Sequence, residues 1–266
     1  MVRFDSAQAG TPVAEWLADA RLDALPSLAM QSNSAVIVLA AHPDDETLGA
    51  GGLIAEYSAR GVPVRVVVVT DGGASHASSA DRSTEQLVAD RRAEAVAAIA
   101  VLAPNAILDF LEIPDGAVRE HRREATALVR SILAQHREAA THAPVTLVAP
   151  WRGDGHRDHR IVGEIAAEIV AELVAEFGAG SAELLEYPIW MWHWATPTTD
   201  AVDWDALVQL SLSEAASAAK QRAIGEYRSQ TQGDPPLLRA DFLGHFDRAT
   251  EIYFRQRDLL QAVRTE

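Results

Sequence analysis

Five short runs along the chain read as strands, 34–41 (SAVIVLAA), 64–70 (VRVVVVT), 106–111 (AILDFL), 145–149 (VTLVA) and 183–187 (ELLEY), and the first is almost wholly apolar and rich in β-branched residues. A run apolar at successive positions is a strand buried on both faces, as in a parallel sheet covered by helices. Between these runs, stretches at about 46–60, 83–102, 118–139 and 159–177 read as helices. In the longest pattern, Leu87, Val88, Ala95, Val96 and Ile99 fall at helical intervals. Gly61, with Pro63 just beyond, supplies a stop for the first helix.

The alternation predicts an α/β fold: a Rossmann-like, mostly parallel sheet with helices on both faces, in a single domain. Residues 1–33 read as an N-terminal leader with one short helix at 12–22, and 34–266 as the domain itself. After Trp190 the rhythm fades into a Trp-rich loop and an expected helix at 205–228. A break at Gly233, Pro235 and Pro236 follows, then a final expected helix near 248–263. In open sheets of this kind, ligands bind beyond the carboxyl ends of the strands.

Composition narrows the chemistry. The 266 residues are 48% hydrophobic, enough for a sizeable core, and 23 basic against 38 acidic residues leave a formal charge of −15. That balance argues against nucleic acid as a partner, because such binding needs a basic footprint. No cysteine is present, so a metal would be held by His, Asp or Glu. The sequence shows neither a secretory signal nor an apolar run of about 20 residues, so no membrane insertion and a cytoplasmic location are expected. A homo-oligomer is compatible with all of this.

The first run ends in Ala41-His42-Pro43-Asp44-Asp45-Glu46. Three acids and a histidine at one strand end repel one another and lose hydration unless a cation is present. A plain helix cap would account for an isolated Asp-Asp pair. A second cluster, Asp154-Gly-His156-Arg-Asp158-His159, stands at the end of the fourth run and changes that weighing. The sheet rule brings both loops to one rim, where His42, Asp45 and His159 make a two-histidine, one-carboxylate set with an open position. That composition suits a catalytic Zn2+ rather than a closed structural one, and the same ligand types admit Fe2+.

The pair of motifs resembles the PIG-L/LmbE family of zinc-dependent N-acetylglucosaminyl deacetylases. The resemblance extends to Thr70-Asp71-Gly72, Arg91 with Glu94, Pro114-Asp115-Gly116 and Lys220-x-x-Ala-Ile-x-x-Tyr-x-Ser-Gln230, covering about residues 34–230. It implies His42, Asp45 and His159 as metal ligands and Asp44 as general base. It further implies His156 as oxyanion stabiliser oriented by Asp158, and Arg91 and Asp115 as sugar contacts. Two positions depart from the family's pattern: Asp154 stands where some relatives carry tyrosine, and Tyr227 where histidine is common.

The expected activity is hydrolysis of an N-acetyl group from an N-acetylglucosamine-type amino-sugar conjugate, a small molecule. Two alternatives stay open: an amidohydrolase of a longer N-acyl group, and a non-catalytic sugar-binding protein on the same scaffold. The run 187–194 (YPIWMWHW) follows the fifth strand, and Trp192 and His193 are expected as substrate contacts there. Segment 72–82 reads as a lid. The glycines of 49–52 are assigned to helix–sheet packing, because Ile54 stands where a dinucleotide loop needs its third glycine. His76, His121, His136, His142 and His245 are expected to face solvent.

Overall fold

The computed structural model describes residues 8–31, 34–75, 83–140, 143–232 and 236–256. Its centre is a seven-stranded sheet. The strands are β1 (Ala35–Ala40), β2 (Val64–Thr70), β3 (Ile107–Ile113), β4 (Val145–Pro150), β5 (Ala182–Tyr187), β6 (Leu207–Ser211) and β7 (Thr250–Arg255). The order is β3-β2-β1-β4-β5-β7-β6; the first five strands run parallel, and β7 and β6 extend the sheet in antiparallel pairing. Two helices precede the sheet, α1 (Val13–Leu17) and α2 (Ala20–Asp23). The connecting helices are α3 (Asp45–Ala59), α4 (Thr84–Leu102), α5 (Arg122–Ala139) and α6 (Arg157–Phe177). Short α7 (Met191–Trp194), α8 (Glu214–Ile224), α9 (Arg228–Thr231) and α10 (Ala240–Leu243) complete the set.

Strand β1 shows why both faces are covered. Val36 and Val38 enter one apolar layer with α3, α4 and α8; Ala35, Ile37 and Leu39 enter the other with α5 and α6. Helix α3 lies very close to the sheet: a Cβ built on Gly49 would meet the Tyr187 ring at 2.0 Å. The helix stops at Gly61, whose φ of +72° costs glycine little.

The chain leaves β1 toward β2 and β3 on one side, and returns to place β4 on the other side of β1. The crevice between the ends of β1 and β4 is therefore the switch point where such sheets take ligands. The sequence motifs at 42–46 and 154–159 flank it.

Two expectations at the C-terminal end are corrected. Residues 207–211 form β6 rather than the start of a helix, and 250–255 form β7; the remainder of the helix expected to 263 lies, from 257, outside the described residues. Leu207, Val208 and Leu210 fit a helical spacing as well as a strand, and pairing with β7 decides between them. The leader contributes two short helices instead of one. It docks through Trp16, which is fully buried and meets Trp192 edge-on at 4.9 Å. The Leu28 N–H also donates to Gln209 O, at 2.7 Å, on β6.

Candidate metal centre

At the mouth of the β1/β4 crevice, His42 and Asp45 come from the turn into α3, and His156 and His159 from the start of α6. Asp45 Oδ2 lies 3.2 Å from His42 Nδ1 and 3.2 Å from His159 Nε2. The rings of His156 and His159 have centroids 4.6 Å apart, and those of His42 and His156 4.7 Å. Nitrogens of all three histidines lie within 4.8 Å of one another. A second set of possible ligands, His42 with Asp115 and Asp158, shares the first histidine. Asp45 Oδ2 stands between two of the ring nitrogens and also accepts the His42 N–H at 2.8 Å, and Asp158 Oδ2 likewise accepts the Gly116 N–H at 2.8 Å.

The buried Nε2 of His159 makes no hydrogen bond, although Asp45 Oδ2 is near. An unmet buried imidazole nitrogen beside a carboxylate fits a divalent cation. His159 is aimed by Asp154, which has no exposed surface. Asp154 Oδ2 lies 2.7 Å from His159 Nδ1, and its two oxygens also accept the N–H groups of Ile189, Trp190 and Met191 at 2.8–3.0 Å. Carboxylates that fix the far nitrogen of a ligating histidine set its tautomer and orientation. In the sequence Asp154 stands out only as a departure from a pattern; its i, i+5 relation to His159 across a loop carries no periodic signal.

Charge is concentrated here. Burial opposes protonation of His159, yet Asp45 and Asp154 raise its pKa to about 9. Burial likewise opposes His42, but Asp115, Asp158 and Asp45 push it well above the ordinary range. Asp45 is itself held low, its own burial outweighed by His159 and His42. Without a metal the acids thus hold protons on the two histidines, the charge a cation would replace.

Asp44 is different. Burial drives its carboxyl up to about 7; Arg91 pulls it down and Asp45 adds to the rise. Its φ of +128° is one that an L side chain rarely takes and that costs of order 1–3 kcal/mol. Arg91, 2% exposed, donates to Asp44 Oδ2 at 3.1 Å and to the carbonyls of Pro43 and Gly72 at 2.6 and 2.9 Å. Arg91 was expected to contact sugar; it lines the cavity but spends these bonds holding the Asp44 turn. Asp115 Oδ1 stands 3.1 Å from His42 Nε2, so this expected sugar contact also faces a histidine.

The expectation that Asp158 orients His156 through its carboxylate is corrected. His156 is the N-cap of α6, and its Nδ1 accepts the backbone N–H of Asp158 at 3.3 Å. The Asp158 carboxylate turns instead to Gly116 and His42. Burial, with His159 and His42 alongside, lowers the His156 pKa to about 3, so this ring is neutral. With Nδ1 accepting, its proton sits on Nε2.

A cavity of about 360 Å³ opens onto this cluster, lined among others by Asp44, Arg91, Asp115, His156 and Trp190. Trp192 and His193, expected as substrate contacts, are not in its wall. Helix α7 turns Trp192 into the core, 3% exposed against Trp16, and directs His193 toward Gly10 of the leader. His136 and His245, expected at the surface, are each 4% exposed. The lid expected at 72–82 lies outside the described residues from 76 onward, as do His76 and His142.

A family model described as GlcNAc-PI de-N-acetylase (PIG-L) matches residues 37–170, half of the chain. The 1D-myo-inositol 2-acetamido-2-deoxy-alpha-D-glucopyranoside deacetylase of Mycobacterium sp. (strain KMS) is 39% identical over 141 residues, covering 45% of this chain and 44% of that protein. The match thus spans less than half the length of that relative. N,N'-diacetylchitobiose deacetylase from Pyrococcus horikoshii superposes with a TM-score of 0.54 at 24% identity, over 75% of this chain and 71% of its own. The zinc inhibited form of teicoplanin deacetylase Orf2 gives 0.58 at 16% identity, over 84% and 99%. At these identities the two structures establish a shared fold.

Proposed function

The chain belongs to the PIG-L family of GlcNAc-PI de-N-acetylases, and from that premise we propose that it hydrolyses the N-acetyl group of an amino-sugar conjugate, using a divalent cation. The observation that carries this reading is Asp44. A buried carboxyl whose pKa is pushed to about 7 stands beside a metal-fitting His/Asp cluster, at the wall of a sugar-sized cavity.

His42, Asp45 and His159 hold the cation, Zn2+ in this proposal, with Fe2+ the alternative that the ligand types admit. Such an ion supplies a Lewis acid that polarises a carbonyl oxygen and eases the deprotonation of water. The chain's own groups do the rest. Asp44 accepts a proton from the water that adds to the acetyl carbon. It returns a proton to the sugar nitrogen as the C–N bond breaks, leaving acetate and a free amine. His156 donates from Nε2 to the oxygen on which negative charge gathers, as a neutral donor. Asp154 keeps His159 facing the ion, and Arg91 keeps Asp44 in its turn.

The test is acetate release by the purified, metal-analysed protein from N-acetylglucosaminides, with N-acyl chains of increasing length in parallel. Release of acetate but not of longer acids supports the reading. A fully metal-loaded protein that frees no amine from any of them would leave a binding protein in place of an enzyme.

A further inference from the structure

Asp44 is held from two directions. Arg91 grips its side chain; the second grip is on the main chain. Glu46 Oε2 accepts the Asp44 N–H at 3.2 Å, across the turn that carries the +128° φ. Glu46 has no exposed surface, and its other oxygen is claimed twice. Thr47 Oγ1 donates to Oε1 at 2.7 Å, and the phenol of Tyr227 donates to the same oxygen. Tyr227 lies 181 residues further along the chain, between α8 and α9, and is 1% exposed. Removing its hydroxyl would leave a buried carboxylate oxygen with one donor from its own neighbour, free to rotate away from Asp44.

We propose that Tyr227 is a positioning residue for the base: through Glu46 it fixes the backbone of Asp44, so that the carboxyl faces the reacting water and nitrogen instead of relaxing to an ordinary φ. Tyr227 touches no substrate in this scheme and holds no metal. The proposal rests on the deacetylase reading for its kinetic consequence, but the clamp itself is a property of the turn.

Tyr227→Phe keeps the ring and its packing and deletes only the hydroxyl. In the metal-loaded enzyme, kcat should fall about 10- to 100-fold, the cost of a small misplacement of a reacting group, with KM and bound metal unchanged. Placed on Asp44→Asn, the same substitution should lower the residual rate no further, because the two act through one carboxyl. Equal fractional losses in both backgrounds, or an unchanged kcat, would overturn the proposal. A substrate-free arm decides the clamp independently. Exchange of the Asp44 amide hydrogen in the metal-loaded protein should speed up several-fold in Tyr227→Phe, and unchanged protection would overturn the clamp. If the wild-type protein released no acetate, the deacetylase reading would fall, while the exchange rates would still decide whether the clamp exists.

Discussion

Asp44 is the residue on which both chemistry and strain converge, and its substitution separates them. Asp44→Asn keeps the shape and the Asp45 ligand, so bound metal should be retained while turnover falls about 10²–10⁴-fold, the usual contribution of a positioned base. The carboxyl must be ionised to take a proton. Because burial raises its pKa to about 7, kcat/KM should decline as pH falls below that value, with a bound cation drawing the limb lower. Arg91 lowers the same pKa, so Arg91→Gln should move the limb upward. A profile flat across about pH 5 to 8 would remove Asp44 from the role. Asp154 makes a complementary prediction. Asp154→Ala strips His159 Nδ1 of its partner and leaves the N–H groups of Ile189 to Met191 unmet. Metal affinity should drop about 10- to 100-fold, read by competition with a chelator, and an unchanged affinity would show that His159 needs no such support.

At the scale of elements, helix α3 carries the burden, since it must press on the sheet closely enough for its first turn to reach the crevice. Gly49 is what allows this. Gly49→Ala would drive a methyl into the Tyr187 ring, whose hydroxyl donates to Leu39 O at 2.7 Å and so cannot easily withdraw. Such overpacking costs about 1–3 kcal/mol, measurable as a lower urea midpoint, and full stability in the variant would mean that the helix can ride outward at no cost. The same close packing was legible in the sequence, since glycines without a nucleotide motif pointed to it. So were β1, β2 and β4, whose runs rich in β-branched residues have no helical alternative of similar quality. The strands β6 and β7 were not legible. Their identity depends on pairing with one another and with β5, across intervals of some forty to seventy residues, and their short apolar spacings suit either element. Trp192 failed for a related reason: an aromatic run after a strand does not reveal which ring a following helical turn will swing toward the core.

For the whole molecule, the topology joins what the sequence left apart. Strand ends suggested that residues 42–46 and 154–159 share a rim, but only the placement of β4 beside β1 makes them touch, and only then does Asp45 come within 3.2 Å of His159. That assembly couples folding to pH in a way that a metal should invert. In the metal-free protein the folded state raises the His159 pKa from 6.5 to about 9. A group whose pKa is raised on folding contributes stability that is fully present below its unfolded pKa and is lost as pH climbs through the folded value. Urea midpoints taken with a chelator present should therefore fall between pH 6.5 and about 9. A cation needs the neutral ring, so over this window the stabilisation that it adds should grow as the competing proton leaves. The gap between metal-loaded and metal-free midpoints should widen with rising pH, and proton release on metal addition should shrink toward its upper end. A gap constant across this range would mean that the ion does not displace the His159 proton, and that the cluster at the β1/β4 crevice is not where it binds.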